Sequence, residues 1–281
     1  MTDRLSDITD RIEGVRQLNG VVGAMTGIAS ARARTARAQI AAVDHYAATV
    51  AAAMGRVGVG KTPDGTGQMA TPKPLTLVVF CAEQGFVGAF SERVLDFVGT
   101  DLATADIFLI GTRGGATAAD RGIAPLWQAA LPSNSASIPK FADRLVQVVL
   151  EHIATGTTSV LEAIHTVWKS GTPHVKRRAL FPVDPALQSN VTVTTPLTNL
   201  PAQELLEELG ADYLHARLCN AALHAFAAEN EARMAVMTTA QAKIERELEA
   251  LEASERRVRQ EAITAEIIEI AAGEMASRQS R

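Results

Sequence analysis

Between Ala211 and Ala272 the chain contains neither a proline nor a glycine, and no other feature restricts its fold as strongly. A stretch of that length without a breaker reads as one helix, on the order of 100 Å long at about 1.5 Å per residue. Its apolar residues keep a heptad register. Leu223, Asn230, Met237, Ile244, Leu251, Val258 and Ala265 stand at sevens, and Ala227, Met234, Gln241, Leu248, Glu255 and Ala262 accompany them. Gln241 and Glu255 are the polar interruptions of a seam that otherwise needs a helical partner.

The partner is found at the other end of the chain. From about Asp3 to Met54, Ile8, Ile12, Val15, Val22, Met25 and Ala29 recur at heptad-like spacing, and no proline intervenes. Two helices so far apart in sequence can pair only if the segment between them folds aside. Gly14, Gly20, Gly23 and Gly27 weaken the first helix by about 1 kcal/mol each relative to Ala. They leave two readings open: a kinked or frayed helix, or one that another backbone approaches closely.

The middle of the chain is of a different kind. Leu75–Phe80 and Asp106–Ile110 are continuous apolar runs, as expected of strands buried on both faces. Val160–Trp168 reads as a third strand. Helices are expected over about Ser91–Leu102 and Ala136–Ile153. The Glu83–Gly88 and Gly111–Gly115 runs read as turns. Alternation of strand and helix predicts a small Rossmann-like parallel sheet with helical cover. The expected organisation is an N-terminal coiled-coil helix (1–56), a linker (57–74), an α/β globular domain (75–200) and a C-terminal coiled-coil helix (201–281). The fold class is thus α/β, with a long antiparallel coiled coil formed by the termini and the sheet domain inserted between its arms.

Little points to chemistry. Gly55, Gly60, Lys61 and Thr62 satisfy the bare phosphate-loop spacing, but the run follows an Ala-rich helix and precedes Pro63 and Gly65. A phosphate loop must leave a buried strand and open a helix. The glycines Gly85 and Gly88 do not make a dinucleotide fingerprint. The six histidines form no H-x-x-x-H pair and no nucleophile set. The carboxylates of 245–261 read as surface partners of neighbouring arginines. Lys176, Arg177 and Arg178 read as a solvated basic loop. Cys81 and Cys219 read as buried small hydrophobes. No apolar run reaches the roughly 18 residues of a membrane span, and the first residues lack a signal-peptide core. No catalytic residue, cofactor or metal is expected, and no nucleic acid.

Four segments carry a resemblance. Arg259-Gln260-Glu261-Ala262-Ile263-Thr264-Ala265-Glu266-Ile267-Ile268-Glu269-Ile270 follows the pattern ARQ-x-x-IT-x-E-[LI]-x-EI. Upstream, Glu229-Asn230-Glu231-Ala232-Arg233-Met234-Ala235-Val236-Met237 follows E-x-x-ARM-x-AM. Ile8, Ile12, Val15, Ala24 and Met25 fit an N-terminal I-x-x-[RK]-I-x-x-[VT] pattern and the K-A-M after it. Glu83–Phe90 is similar to a loop usually written DRGLCGGFN. In these segments, spread over nearly the whole chain, the sequence resembles the gamma subunit of F-type ATP synthases, as a divergent bacterial member.

The resemblance implies a central rotary stalk that catalyses nothing itself. Its coiled coil would enter the hexamer of alpha and beta subunits, and its globular base would meet the epsilon subunit and the membrane ring. It would lie on the cytoplasmic face of the bacterial inner membrane without inserting into it. By the same resemblance, Met25, Arg233, Arg259, Gln260, Thr264 and Glu266 are expected to contact beta subunits. The pattern is broken in places. Gly23-Ala24-Met25-Thr26-Gly27 stands where the family has K-A-M-K-M, and Thr238-Thr239-Ala240 where it has D-N-A-T. The Glu83–Phe90 loop lacks the arginine, the cysteine and the final asparagine. The other readings of the chain are a coiled-coil scaffold homodimerising through residues 220–270, and a nucleotide-binding enzyme using Gly55–Thr62.

Overall fold

A computed structural model describes residues 2–57, 75–156, 158–181 and 198–279. The termini are helical: α1 covers Thr2–Arg56 and α5 covers Ala202–Gln279. Between them lie β1 (Leu75–Phe80), α2 (Phe90–Val98), β2 (Asp106–Ile110), α3 (Thr112–Asp120), β3 (Trp127–Ala129), α4 (Ile138–Ala154), β4 (Val160–Lys169) and β5 (Thr172–Phe181). The Gly60, Lys61 and Thr62 portion of the phosphate-loop-like run lies outside the described residues, and Gly55 lies in the last turn of α1.

The described residues form two compact units. One is Ala29–Arg233, which holds the sheet; the other combines Met1–Ile28 with Met234–Arg281.

In the sheet unit the strand order is β3-β2-β1-β4-β5. The first four strands are parallel, and β5 runs antiparallel to β4. β1 and β2 are central because their Val, Leu, Ile and Phe side chains bury both faces. One face carries α4, the Ala29–Arg56 part of α1 and the Ala202–Arg233 part of α5. There Phe80, Phe108, Leu145, Leu161, Leu218 and Leu223 form the core together with Ala36. The opposite face carries α2, whose Phe90, Val94, Leu95 and Val98 pack on Leu77, Val79 and Leu109.

The two terminal helices pair antiparallel within this unit. Arg37 of α1 forms an ion pair with Glu231 of α5, Asn220 donates to Asp44 at 3.0 Å, and Val50, Ala51 and Met54 pack with Tyr213. Rising numbers on α1 meet falling numbers on α5.

Three expectations need correction. The sheet is mixed, not purely parallel: β3 and the antiparallel β5 enlarge it. The Lys176-Arg177-Arg178 run is part of strand β5, not a loop. β5 escapes a sequence reading because it is an edge strand, rich in charge and carrying Pro173. It follows β4 through Ser170 and Gly171, both at positive φ (49° and 80°), a two-residue hairpin of the favoured twist. Finally, Gly111–Gly115 is not a turn, because α3 begins at Thr112. The glycines serve close approach instead: a Cβ at Gly114 would stand 2.0 Å from Cys81 Cβ, and one at Gly111, where φ is +111°, 2.7 Å from the Ala82 carbonyl oxygen.

Candidate functional site

The unit built from Met1–Ile28 and Met234–Arg281 contains no sheet among its described residues. What it presents is a surface. Val22, Met237 and Ile244 are buried at its centre, with Val15, Met25, Val236 and Ala240 packed against them. The heptad seam of α5 is therefore used: Met237, Ile244 and Val258 are buried. Arg11 pairs with Glu247 at 3.3 Å and Arg16 with Glu252 at 2.8 Å across the two helices. Both pairs are half-exposed and worth at most about 1 kcal/mol each.

C-terminal to Val258 the burial ends. Ile263, Ile267, Ile268, Ile270 and Met275 are each more than half exposed. A row of large aliphatic side chains left in water is costly, at about 1.5–3 kcal/mol for each that a partner could cover.

The expected contact residues are distributed over both units. Met25 is half-buried in the seam beside Val22. Arg259, Gln260, Thr264 and Glu266 are exposed on the last third of α5. The guanidinium of Arg259 donates to Glu255 Oε1 at 2.6 Å, and the Thr264 hydroxyl donates to the Gln260 carbonyl at 2.9 Å. At 3.6 residues per turn Arg259 and Glu266 share one stripe of the helix and Gln260 and Thr264 another. The second stripe borders a shallow groove with Arg257, Glu261 and Ile268.

Arg233 stands apart from these. It belongs to the sheet unit and is 5% exposed. It donates to Glu229 Oε1 at 2.6 Å, to Asn230 Oδ1 at 3.1 Å and to the Gly85 carbonyl at 3.2 Å. Glu229 in turn accepts the backbone N–H of Glu83 and of Gln84, at 2.9 and 3.1 Å. The carboxylate of Glu83 accepts from Thr112 N–H, Thr112 Oγ1 and Leu131 N–H. One buried ion pair thus ties α5 to the Glu83–Phe90 loop, and Glu83 ties that loop to α3 and the end of β3. The motif containing Glu229 and Arg233 is legible in sequence. Its partners are not, because they lie about 146 residues away.

The groups that could carry chemistry are not poised for it. Burial first, and the nearby Glu92 second, push the Cys81 thiol up to about 12, and burial raises Cys219 to about 11. Neither forms a thiolate near neutral pH. Among the described residues no three His, Cys, Asp or Glu side chains gather as a metal site, and no helix is long and apolar enough to cross a membrane.

Residues 4–276 match the sequence model of the ATP synthase family. The chain belongs to that family. Among its curated relatives is the ATP synthase gamma chain of Pelodictyon phaeoclathratiforme, 24% identical over 96% of this chain and 97% of that one. Another is the gamma chain of Frankia casuarinae, 26% identical over 97% of each. The fold is similar to a chain of the Euglena gracilis mitochondrial ATP synthase rotor, with a TM-score of 0.63 at 13% identity, covering 94% of this chain and 100% of that one. The chain is therefore an ATP synthase gamma subunit, a peripheral part of a membrane complex. The homodimerising scaffold finds no support.

Proposed function

We propose that this gamma chain is the non-catalytic rotor stalk of a bacterial F-type ATP synthase. It couples ion flow through a membrane ring to ATP synthesis or hydrolysis in an alpha/beta hexamer, at the cytoplasmic face of the inner membrane. Alpha and beta subunits surround the helical tip, while the epsilon subunit and the ring meet the sheet-bearing base. The observation that carries this reading is the family match from residue 4 to 276, joined to an α5 that ends in uncovered aliphatic side chains. A sleeve would remove those side chains from water without needing directional bonds, so the stalk could turn with few contacts to break.

On this reading Met25, Arg259, Gln260, Thr264 and Glu266 meet beta subunits. Arg259 and Glu266 act as charged catches on one stripe. Arg233 is buried, and its part in coupling is indirect, through the loop that it and Glu229 hold. The test is recovery of the tagged chain from its native cells, followed by an ATPase assay of the eluate. Alpha and beta subunits with ATPase activity are expected. Recovery of the chain alone, or only with itself, overturns the proposal. In the recovered complex, Arg259→Ala should lower turnover by about tenfold, the effect of losing one charged contact.

A further inference from the structure

Away from the α5 tip, the sheet unit carries a cleft of about 300 Å³ lined by His165, Val167, Lys169, Lys176, Arg178 and His224, as well as Arg177. The register of the β4–β5 hairpin builds it. Ala163 pairs with Arg178, His165 with Lys176 and Val167 with His174, so His165, Lys176 and Arg178 project from one face of the hairpin. That face looks towards α5. His224 stacks on His165 with ring centroids 5.6 Å apart, and Arg178 donates to Asn220 Oδ1 over 3.4 Å, a long bond. Arg177 points to the other face, where Asp101 and Glu162 hold it.

The positive charge of the cleft is only partly offset from within. Lys169, Lys176, Arg178 and Arg217 act on the two histidines and on each other, while the one carboxylate acting favourably on Arg178 and His224, Asp44, also accepts from Asn220. Lys176 is held below the ordinary lysine range, first by Lys169 and then by burial. One buried ring nitrogen of the cleft also lacks a hydrogen-bond partner: Nδ1 of His165, a residue only 2% exposed. Buried polar groups without partners are uncommon, and like charges crowded in a partly dry cleft repel. Both features are relieved by one kind of occupant, a small multiply charged oxyanion.

We infer that this cleft binds a phosphate group. A planar arginine fork and two flexible ammonium groups suit tetrahedral oxygens approached from several sides. The volume is at the lower end of small-molecule sites, roughly 300–1,000 Å³, which fits inorganic phosphate or the terminal phosphate of a nucleotide better than a large metabolite. The site is independent of the stalk reading and of the phosphate-loop-like run at Gly55–Thr62.

The test is calorimetric titration of the full chain with inorganic phosphate, and separately with ADP, at constant ionic strength maintained with chloride. One saturable site per chain is expected. Lys169→Gln combined with Lys176→Gln should weaken it by about tenfold or more. Both lysines are exposed, so circular dichroism of the variant should be unchanged. Lys140→Gln, on α4, should bind as the parent does. Tighter binding of ADP than of phosphate identifies a nucleotide as the ligand, and equal binding identifies free phosphate. Absence of saturation up to about 10 mM of either, or an affinity that the double variant leaves unchanged, overturns the assignment.

Discussion

At the scale of single residues, the Glu229–Arg233 pair concentrates more energy than any surface contact in the chain. Both side chains are nearly water-free, at 4% and 6% exposure, and Glu229 has two backbone N–H donors besides the guanidinium. Removing one member strands the other charge, which typically costs 3–5 kcal/mol. Arg233→Met should therefore destabilise the sheet unit by about that much in urea unfolding followed by Trp127 and Trp168 fluorescence. The double variant Glu229→Gln, Arg233→Met should recover at least about 1 kcal/mol of it. Additive losses would mean that the pair is not coupled. His165 gives a second expectation. Burial, then His224, Arg178, Lys176 and Arg217, lower it from the usual 6.5 to about 3. Between those values the unfolded chain holds a proton that the folded chain refuses, so stability is full above pH 6.5 and falls as the pH drops towards 3. By pH 5 the loss is about 2 kcal/mol. A His165→Phe variant should show a correspondingly flatter dependence between pH 7.5 and 5.

At the scale of elements, glycines with the same sequence signature divide into two physical kinds. A Cβ at Gly14, Gly20, Gly23 or Gly27 meets nothing within 4 Å, and α1 runs through all four without a break. In the chain by itself they are therefore neither kinks nor close packing points. Gly23→Ala should stabilise α1 by about 1 kcal/mol, read as a rise in helix melting temperature. Gly114→Ala should do the opposite and cost about 1–3 kcal/mol, because its methyl enters Cys81. If Gly23→Ala is also neutral in the assembled ATPase, no neighbouring subunit needs the missing methyl.

The elements also show what a sequence can carry. The seam of α5 and the strands β1, β2 and β4 were legible because apolar period and length report burial directly. β3 was too short to have a period. β5 was hidden by its own charges, and the burial of Arg233, expected as a beta-subunit contact, was not legible because nothing local reveals the Glu83–Phe90 loop folded over it from elsewhere.

At the scale of the whole molecule, the contrast between the two units constrains the function. The sheet unit closes its own core: its central strands are fully buried and its main ion pair is internal. The other unit is not self-sufficient, since beyond Val258 α5 has apolar side chains and no cover among the described residues. If stability of the chain alone were its purpose, those positions would be polar. Replacing Ile267 and Ile268 with Asp removes the uncovered surface without touching a core, so unfolding of the chain alone should change by no more than about 0.5 kcal/mol per site. In the assembled enzyme the same side chains are proposed to lie against a sleeve. Two buried carboxylates there would lack partners and each would cost several kcal/mol. The variant should then fold normally but co-purify with alpha and beta subunits in much lower yield. Normal yield and ATPase activity would mean that the tip faces water in the complex as well, and the sleeve would have to be sought elsewhere on the chain.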